Sequence, residues 1–181
     1  QALAMGADKA VLVDDEGLKG SDSLTTAKVL AAAISREEFD LVIAGTESTD
    51  GYSGVVPQQL AALLDVPSLT YATKVDTDGS SVSIRRQTAT GYDEVSASTP
   101  VLVSVTAGVV EPRYPTFKGI MQAKQKPVDT LTAGDLGVEA TPGQAIRSVQ
   151  AAPAREAGEK VVDEGEAHLQ VVAALEQAKV V

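Results

Sequence analysis

Cysteine is absent from this sequence of 181 residues, and histidine occurs only once. Without cysteine the chain has no disulfide bonds, no thiolate chemistry and no cysteine-ligated metal site. We expect the single histidine, His168, to be a solvated side chain near the C-terminus rather than a catalyst or a metal ligand. No acid–base pair, nucleophile or metal-binding cluster is visible in the sequence, so the residues themselves indicate no catalytic machinery.

Basic residues and long apolar runs are also scarce. Fifteen Lys and Arg residues stand against 25 Asp and Glu, which gives a formal net charge of −10. This acidity argues against nucleic acid or an anionic membrane surface as a partner. No apolar run approaches the roughly 18 residues of a transmembrane helix, so we expect no insertion into a membrane. The hydrophobic content of 44% suits one domain with a sizeable core plus extra segments.

The segment from residue 39 to 64 has the pattern of a strand, a polar loop and a helix. Leu41 to Ala44 form a continuous apolar run, which predicts a central parallel strand that is buried on both faces. Gly45 ends this strand, and the polar loop that follows contains the turn signal Asp50-Gly51. Ser53 closes the loop and Gly54 opens a helical pattern.

A strand that leads through such a loop into a helix N-terminus can bind phosphate. Free backbone N–H groups point out of the loop, the helix dipole favours an anion, and glycines allow close approach. The spacing matches neither a Walker A motif nor G-x-G-x-x-G. An ordinary strand-to-helix connection therefore remains the alternative at this point.

Helices and strands alternate through residues 1–64, as in a doubly wound parallel sheet. Lys9 to Val13 is predicted to be a second buried strand, and Asp22 or Ser23 to cap the helix that follows. After Pro67 the alternation becomes that of antiparallel hairpins, followed by one more buried strand; the predicted strands are 69–75, 82–87, 94–98 and 100–106. We therefore predict an α/β fold with an antiparallel flank.

The segment from Gly108 to Lys126 differs in charge from the rest of the chain. Two prolines keep its first part extended, and a helix is predicted from about Thr116. One face of this helix carries Phe117, Ile120, Met121 and Lys124. The segment contains four basic residues and one acidic residue, so it is a candidate docking patch for an acidic partner. The alternative is a surface helix whose Phe and Met fill the core of the protein.

The C-terminal region has too few large apolar residues for a core of its own. We predict an α/β domain over residues 1–137 and an extended arm over 138–181. A short helix near the end carries an apolar stripe, and Asp163 with Glu166 resembles a capping box. Such an arm is either a frayed tail or a strap that wraps a partner.

The stretch VVEPRYPTFKGIMQAKQKPVDTL, followed by DLGV, resembles the signature of the electron transfer flavoprotein β subunit. The segments ALAMGAD, LLDVP and TYATKV, the hairpins and the arm fall in the order of that family over the whole chain. The resemblance leads us to expect a fragment that has lost N-terminal sequence. It implies an adenine-nucleotide-binding core of the HUP-like type.

The resemblance implies a heterodimer with an electron transfer flavoprotein α subunit. FAD would lie between the subunits, held mostly by α, and a structural AMP would bind to the β subunit. Its phosphate loop matches Gly45, Asp50, Gly51, Ser53 and Gly54 of this sequence. The loop is shorter than in mitochondrial-type members. A similar short Asp-Gly loop occurs in members that bind a second FAD and bifurcate electrons with NADH, which is the alternative.

The family's recognition loop matches residues 109–126. Phe117 takes the place of an apolar anchor that inserts into acyl-CoA dehydrogenases, surrounded by Arg113, Lys118, Ile120 and Met121. Val110 departs from the family's Asn, and the lysine-rich run is thinned to QAKQK. The implied role is that of an electron carrier rather than an enzyme.

Electrons would pass from acyl-CoA dehydrogenases through FAD to a membrane quinone reductase. The location would be the cytoplasm in a bacterium or the mitochondrial matrix in a eukaryote. A nucleotide-sensing module without a redox role is a third hypothesis, against which the EPRY segment and the arm argue.

Overall fold

The computed structural model describes residues 1–155, 157–158 and 160–180. Residues 1–146 form one compact unit and residues 147–181 a second. The boundary therefore lies nine residues beyond the end of the predicted domain at residue 137. The helices are α1 (Ser23–Ile34), α2 (Val56–Leu64), α3 (Phe117–Ala123) and α4 (Ala167–Gln177). The strands are β1 (Ala10–Val13), β2 (Leu41–Gly45), β3 (Ser68–Thr77), β4 (Ser81–Gln87), β5 (Tyr92–Ser98), β6 (Val101–Val105) and β7 (Val128–Leu131).

Two sheets make up the first unit. The larger has the order β2-β6-β3-β4-β5, in which β6 runs parallel to β2 and β3 while β4 and β5 form the antiparallel flank. The smaller pairs β1 with β7 in parallel. This arrangement confirms the predicted α/β class and the antiparallel hairpins, and β6 is the buried strand predicted after them.

The core is built on both faces of β6. Val101 and Val103 are fully buried against one apolar cluster, which also contains Leu69 and Ile84. Leu102 points the other way, into a cluster with residues of α1 and α2: Ala31, Leu60 and Ala61. Because β6 is covered on both faces, its residues 101–103 form a continuous apolar run rather than an alternating pattern.

The prediction that β2 is a central strand buried on both faces is wrong. Among the described residues, β2 pairs only with β6 and forms an edge of the larger sheet. The side chain of Ile43 is consequently 65% exposed. The same correction applies to β1, which pairs only with β7 and leaves Leu12 half exposed. An apolar run indicates a strand that can be buried, but it does not indicate which strands pair with it or which elements pack on its faces.

The second unit contains α4, and the described residues between 147 and 165 lie outside helices and strands. The predicted capping box does not form, because Glu166 occupies the N-cap position without a side-chain hydrogen bond. Asp163 instead accepts hydrogen bonds from the N–H of Gly165 at 2.9 Å and from the N–H of Ala167 at 3.4 Å. The apolar stripe of α4 is exposed, with Val171 and Leu175 among its members. Three positions of the predicted arm, 156, 159 and 181, lie outside the described residues.

None of the helices described here combines the length and the apolar character that a membrane crossing requires.

Candidate functional site

A cavity of about 830 Å³ lies where the carboxyl end of β2 meets the N-termini of α1 and α2. Most of the predicted phosphate loop lines it, namely Gly45, Asp50, Gly51 and Ser53, whereas Gly54 lies just outside the lining. In open parallel sheets, ligands bind beyond the carboxyl ends of the strands, and this cavity lies in that position. Its volume lies within the range of small-molecule sites, which is about 300–1,000 Å³.

Two helix N-termini face this cavity. In α1 the carboxylate of Asp22 caps the helix by accepting a hydrogen bond from the N–H of Thr25 at 2.8 Å. In α2 the N-cap residue, Val55, contributes no side-chain hydrogen bond, and Pro57 lies in the first turn. Unpaired N–H groups and the positive end of a helix dipole attract an anion. The N-terminus of α2 is therefore the better placed of the two to bind one.

The loop from β2 to α2 is fixed at its start and strained near its end. Both the N–H and the hydroxyl of Thr46 donate hydrogen bonds to the carbonyl of Val105, at 3.2 and 3.0 Å. Further along, Tyr52 and Gly54 have φ angles of +46° and +63°. The left-handed conformation is costly for residues other than glycine. Gly54, rather than Gly51, is thus the loop position whose backbone conformation favours glycine.

The N–H of Gly51 is not free, because it donates a hydrogen bond to the carboxylate of Asp50 at 2.7 Å. The hydroxyl of Ser48 and the N–H of Gly51 together lower the pKa of Asp50 from 3.8. A carboxylate oxygen is therefore the acceptor for an N–H group that we predicted to bind phosphate. Of the other loop groups, the N–H groups of Ser53, Gly54 and Val55 donate to no protein acceptor within the described residues.

The lining of the cavity is acidic. Asp22, Glu47 and Asp50 contribute carboxylates, whereas the lining contains no Lys or Arg. An anion in this cavity would be bound by backbone N–H groups and helix dipoles rather than by side-chain cations. Within the described ranges, no three Asp, Glu or His side chains cluster closely enough to bind a metal ion.

Two walls of the cavity were not predicted as site residues. One is residues 20–23 at the start of α1, where the hydroxyl of Ser21 is buried without a hydrogen-bond partner among the described residues. The other is residues 144–146 near the end of the first unit. The capping signal at Asp22 indicated a helix start but not a cavity. Residues 144–146 have no local signal, because only the fold brings them to α1.

The predicted partner-binding residues lie on the surface of the first unit. Phe117 is 81% exposed, Ile120 and Met121 are about half exposed, and Arg113 and Lys118 are exposed. Phe117 therefore does not fill the core of the first unit, which was the alternative interpretation.

We predicted that Lys126 contributes to a basic docking patch, but its amino group is hydrogen-bonded within the protein. Its amino group donates hydrogen bonds to the carbonyls of Leu3 at 3.0 Å and Ala7 at 2.6 Å. These carbonyls belong to a 3₁₀ turn (Ala2–Met5) and the residues that follow it. The charge of Lys126 therefore fastens the N-terminal turn instead of facing a partner.

Comparison with known proteins agrees with the signature around Phe117. A family model described as "Electron transfer flavoprotein domain" matches residues 1–136. The electron transfer flavoprotein subunit beta of Mycobacterium tuberculosis is 44% identical over 188 residues, which cover 100% of this chain and 71% of that protein. The chain belongs to the electron transfer flavoprotein β-subunit family.

More distant members of the electron transfer flavoprotein family match as well. The subunit beta of Megasphaera elsdenii is 34% identical over 182 residues, which cover 92% of this chain and 67% of that protein. The subunit beta of Bacillus subtilis is 38% identical over 139 residues, which cover 76% of this chain and 54% of that protein. The resemblance found in the sequence is thereby confirmed.

Proposed function

We propose that this chain is the β subunit of an electron transfer flavoprotein that pairs with an α subunit. The heterodimer carries electrons from acyl-CoA dehydrogenases, through FAD, to a membrane quinone reductase. The observation that carries this proposal is the 44% identity over the full chain to proteins named electron transfer flavoprotein subunit beta. Bound FAD would supply the redox chemistry, while the protein would bind and orient the FAD and exclude water from it. The proposed location is the cytoplasm of a bacterium.

The cavity beside Gly45 is the proposed site of AMP. Its volume of about 830 Å³ accommodates a nucleotide. The N–H groups of Ser53 and Gly54 suit the phosphate, since they have no protein acceptor among the described residues. Leu30, Pro57 and Leu60 give the cavity an apolar wall that suits a purine base. The donor set thus fits an adenine nucleotide without a side-chain cation.

The exposed surface around Phe117 is the proposed docking site for acyl-CoA dehydrogenases. A large aromatic side chain with a charged rim is typical of an interface hot spot. Arg113 and Lys118 provide positive charge in a chain whose net charge is −10. They would steer an acidic partner surface and so raise the association rate.

The residues after 137 are proposed to contact the α subunit. The exposed apolar stripe of α4, which includes Val171 and Leu175, supports a role as a partner contact.

The mass and stoichiometry of the nucleotides released from the purified heterodimer test the proposal. One FAD and one AMP per heterodimer is the expected result. Two FAD molecules without AMP would favour the alternative, an electron-bifurcating complex that uses NADH, for which the short Asp50-Gly51 loop is the supporting observation. AMP without any flavin in a chain that does not pair with α would contradict both and favour a nucleotide-sensing module.

A further inference from the structure

Residues 141–146 run along the first turn of α1 without belonging to a helix or strand. Two hydrogen bonds join them to that turn. The carbonyl of Thr141 accepts from the hydroxyl of Thr25 at 3.4 Å, and the N–H of Gly143 donates to a carboxylate oxygen of Asp22 at 2.7 Å. Because the segment lacks a strand partner, these contacts with α1 determine its path.

The two carboxylate oxygens of Asp22 accept hydrogen bonds from different parts of the chain. Oδ1 accepts from the N–H of Thr25 and caps α1, while Oδ2 accepts from the N–H of Gly143. The donors keep the carboxylate ionised: Thr25 contributes most to lowering the pKa of Asp22 from 3.8, and Gly143 contributes less. Charge-assisted hydrogen bonds of this kind are stronger than neutral ones. One side chain therefore joins a helix start to a segment more than a hundred residues away.

The three residues that follow Gly143 form a wall of the cavity. Gln144, Ala145 and Ile146 line it together with Leu30 and Leu60. The side chain of Ile146 is 71% exposed. A nucleotide base in the cavity would cover apolar surface of this kind and gain binding energy from it.

We propose that Asp22 is a positioning residue that holds residues 141–146 in place as a wall of the nucleotide cavity. Gln144 to Ile146 then contact the bound nucleotide. The inference rests on the proposed function, because it takes the ligand to be an adenine nucleotide. The coupling is reciprocal: the segment retains the nucleotide, and the nucleotide orders the segment.

Two substitutions separate this role from helix capping. Asp22→Ser keeps a good N-cap oxygen for the N–H of Thr25 but removes the acceptor for Gly143. Gly143→Pro removes the donor and leaves Asp22 intact. Asp163→Ser is the matched control, since Asp163 also accepts a backbone N–H but is not one of the residues that line the cavity.

The affinity of the full chain, stripped of nucleotide, is measured by calorimetric titration with AMP. We expect each variant to bind AMP about tenfold more weakly, which corresponds to about 1.4 kcal/mol. Because both changes break the same hydrogen bond, the double variant is expected to bind no more weakly than either single one. The control is expected to bind as the unchanged chain does.

Amide hydrogen exchange provides a readout that a purely structural role would not change. AMP is expected to slow exchange at residues 143–146 in the unchanged chain, and to slow it much less in Asp22→Ser. Unchanged AMP affinity in either Asp22→Ser or Gly143→Pro, or equal slowing of exchange in Asp22→Ser, would overturn the positioning role and leave the nucleotide site standing. If the unchanged chain bound no AMP, the proposed nucleotide site would fail together with this inference.

Discussion

Gly119 of α3 and Ala4 of the N-terminal turn lie so close that a side chain on Gly119 would collide with the carbonyl oxygen of Ala4. The hydroxyl of Thr116 caps α3 by accepting a hydrogen bond from the N–H of Gly119 at 3.0 Å. Lys126, which follows the C-terminal end of α3, donates hydrogen bonds to carbonyls of the same turn and of the residues after it. The position of Phe117 therefore depends on residues that precede it by more than a hundred positions.

Replacing Gly119 with Ala should destabilise this contact. Overpacking of a close contact costs about 1–3 kcal/mol, and here one of the colliding atoms belongs to the backbone. Gly91→Ala is the matched control, because a Cβ at Gly91 would meet no atom within 4 Å and its φ is not positive. Urea unfolding of both variants measures the difference. Equal stability of the two would show that α3 shifts away from Ala4 without cost.

Local patterns in the sequence predicted the hairpins β3 to β5 and the buried strand β6. Their turns and alternation are set by neighbouring residues, and β6 has partners on both edges. The exposure of Ile43 was not predictable in this way, because it depends on which strands are paired. Strand β7 was also missed, since its four residues include the polar Asp129 and Thr130 and form no apolar run, unlike the four residues of β1.

The candidate site shows the same division between local and distant interactions. The loop residues from Gly45 to Ser53 were identified because a strand, a turn signal and a helix start are adjacent in sequence. The wall at Gln144–Ile146 was not, because its contact with Asp22 spans 121 positions. The charge of Lys126 was misassigned for a related reason: its acceptors, Leu3 and Ala7, are more than a hundred residues away.

Gly54 is expected to matter more for nucleotide binding than Gly51. A side chain at Gly54 would require a left-handed conformation at φ +63°, which costs roughly 1–2 kcal/mol. Gly51 is exposed, has no positive φ, and a Cβ there would lie 3.3 Å from the hydroxyl of Ser48. Titration with AMP should therefore show a larger loss of affinity for Gly54→Ala than for Gly51→Ala. The reverse order would place the phosphate at Asp50-Gly51 instead.

Phe117→Ala should slow electron transfer from an acyl-CoA dehydrogenase without affecting stability. The side chain is 81% exposed, and surface substitutions usually change stability by less than about 0.5 kcal/mol. Truncation of an aromatic hot spot costs at least about 2 kcal/mol of binding, so the rate at low dehydrogenase concentration should fall more than about tenfold. Tyr92→Ala, an exposed aromatic on β5, is the control. A normal rate in Phe117→Ala would remove Phe117 from the docking surface.

Lys118 and Lys126 are expected to respond differently to neutralisation. Lys118→Gln should reduce both the rate of dehydrogenase-driven reduction and its sensitivity to salt, because an exposed rim charge acts mainly on association. Lys126→Gln should instead lower stability, since it removes the donor to the carbonyls of Leu3 and Ala7. Melting temperatures and rates over a series of salt concentrations separate the two effects. A salt response that disappears in Lys126→Gln but persists in Lys118→Gln would reverse these assignments.

Two truncated chains separate nucleotide binding from subunit pairing. A chain that ends at Ile146 keeps the first compact unit and every residue that lines the cavity, so it should bind AMP as the full chain does. A chain that ends at Gly137 loses Gln144–Ile146 and the partner of Asp22, so it should bind AMP about tenfold more weakly, by about 1.4 kcal/mol.

Both truncated chains should fail to co-purify with the α subunit, because both lack the exposed apolar stripe of α4. Co-expression with a tagged α subunit, followed by quantification of bound β chain and FAD, measures this directly. The variant Val171→Asp in the full chain is the companion test, since it places a charge on the stripe while the cavity stays intact. Full retention of α by the chain that ends at Ile146 would show that the heterodimer is held by the first unit, and residues after 146 would then have no part in pairing.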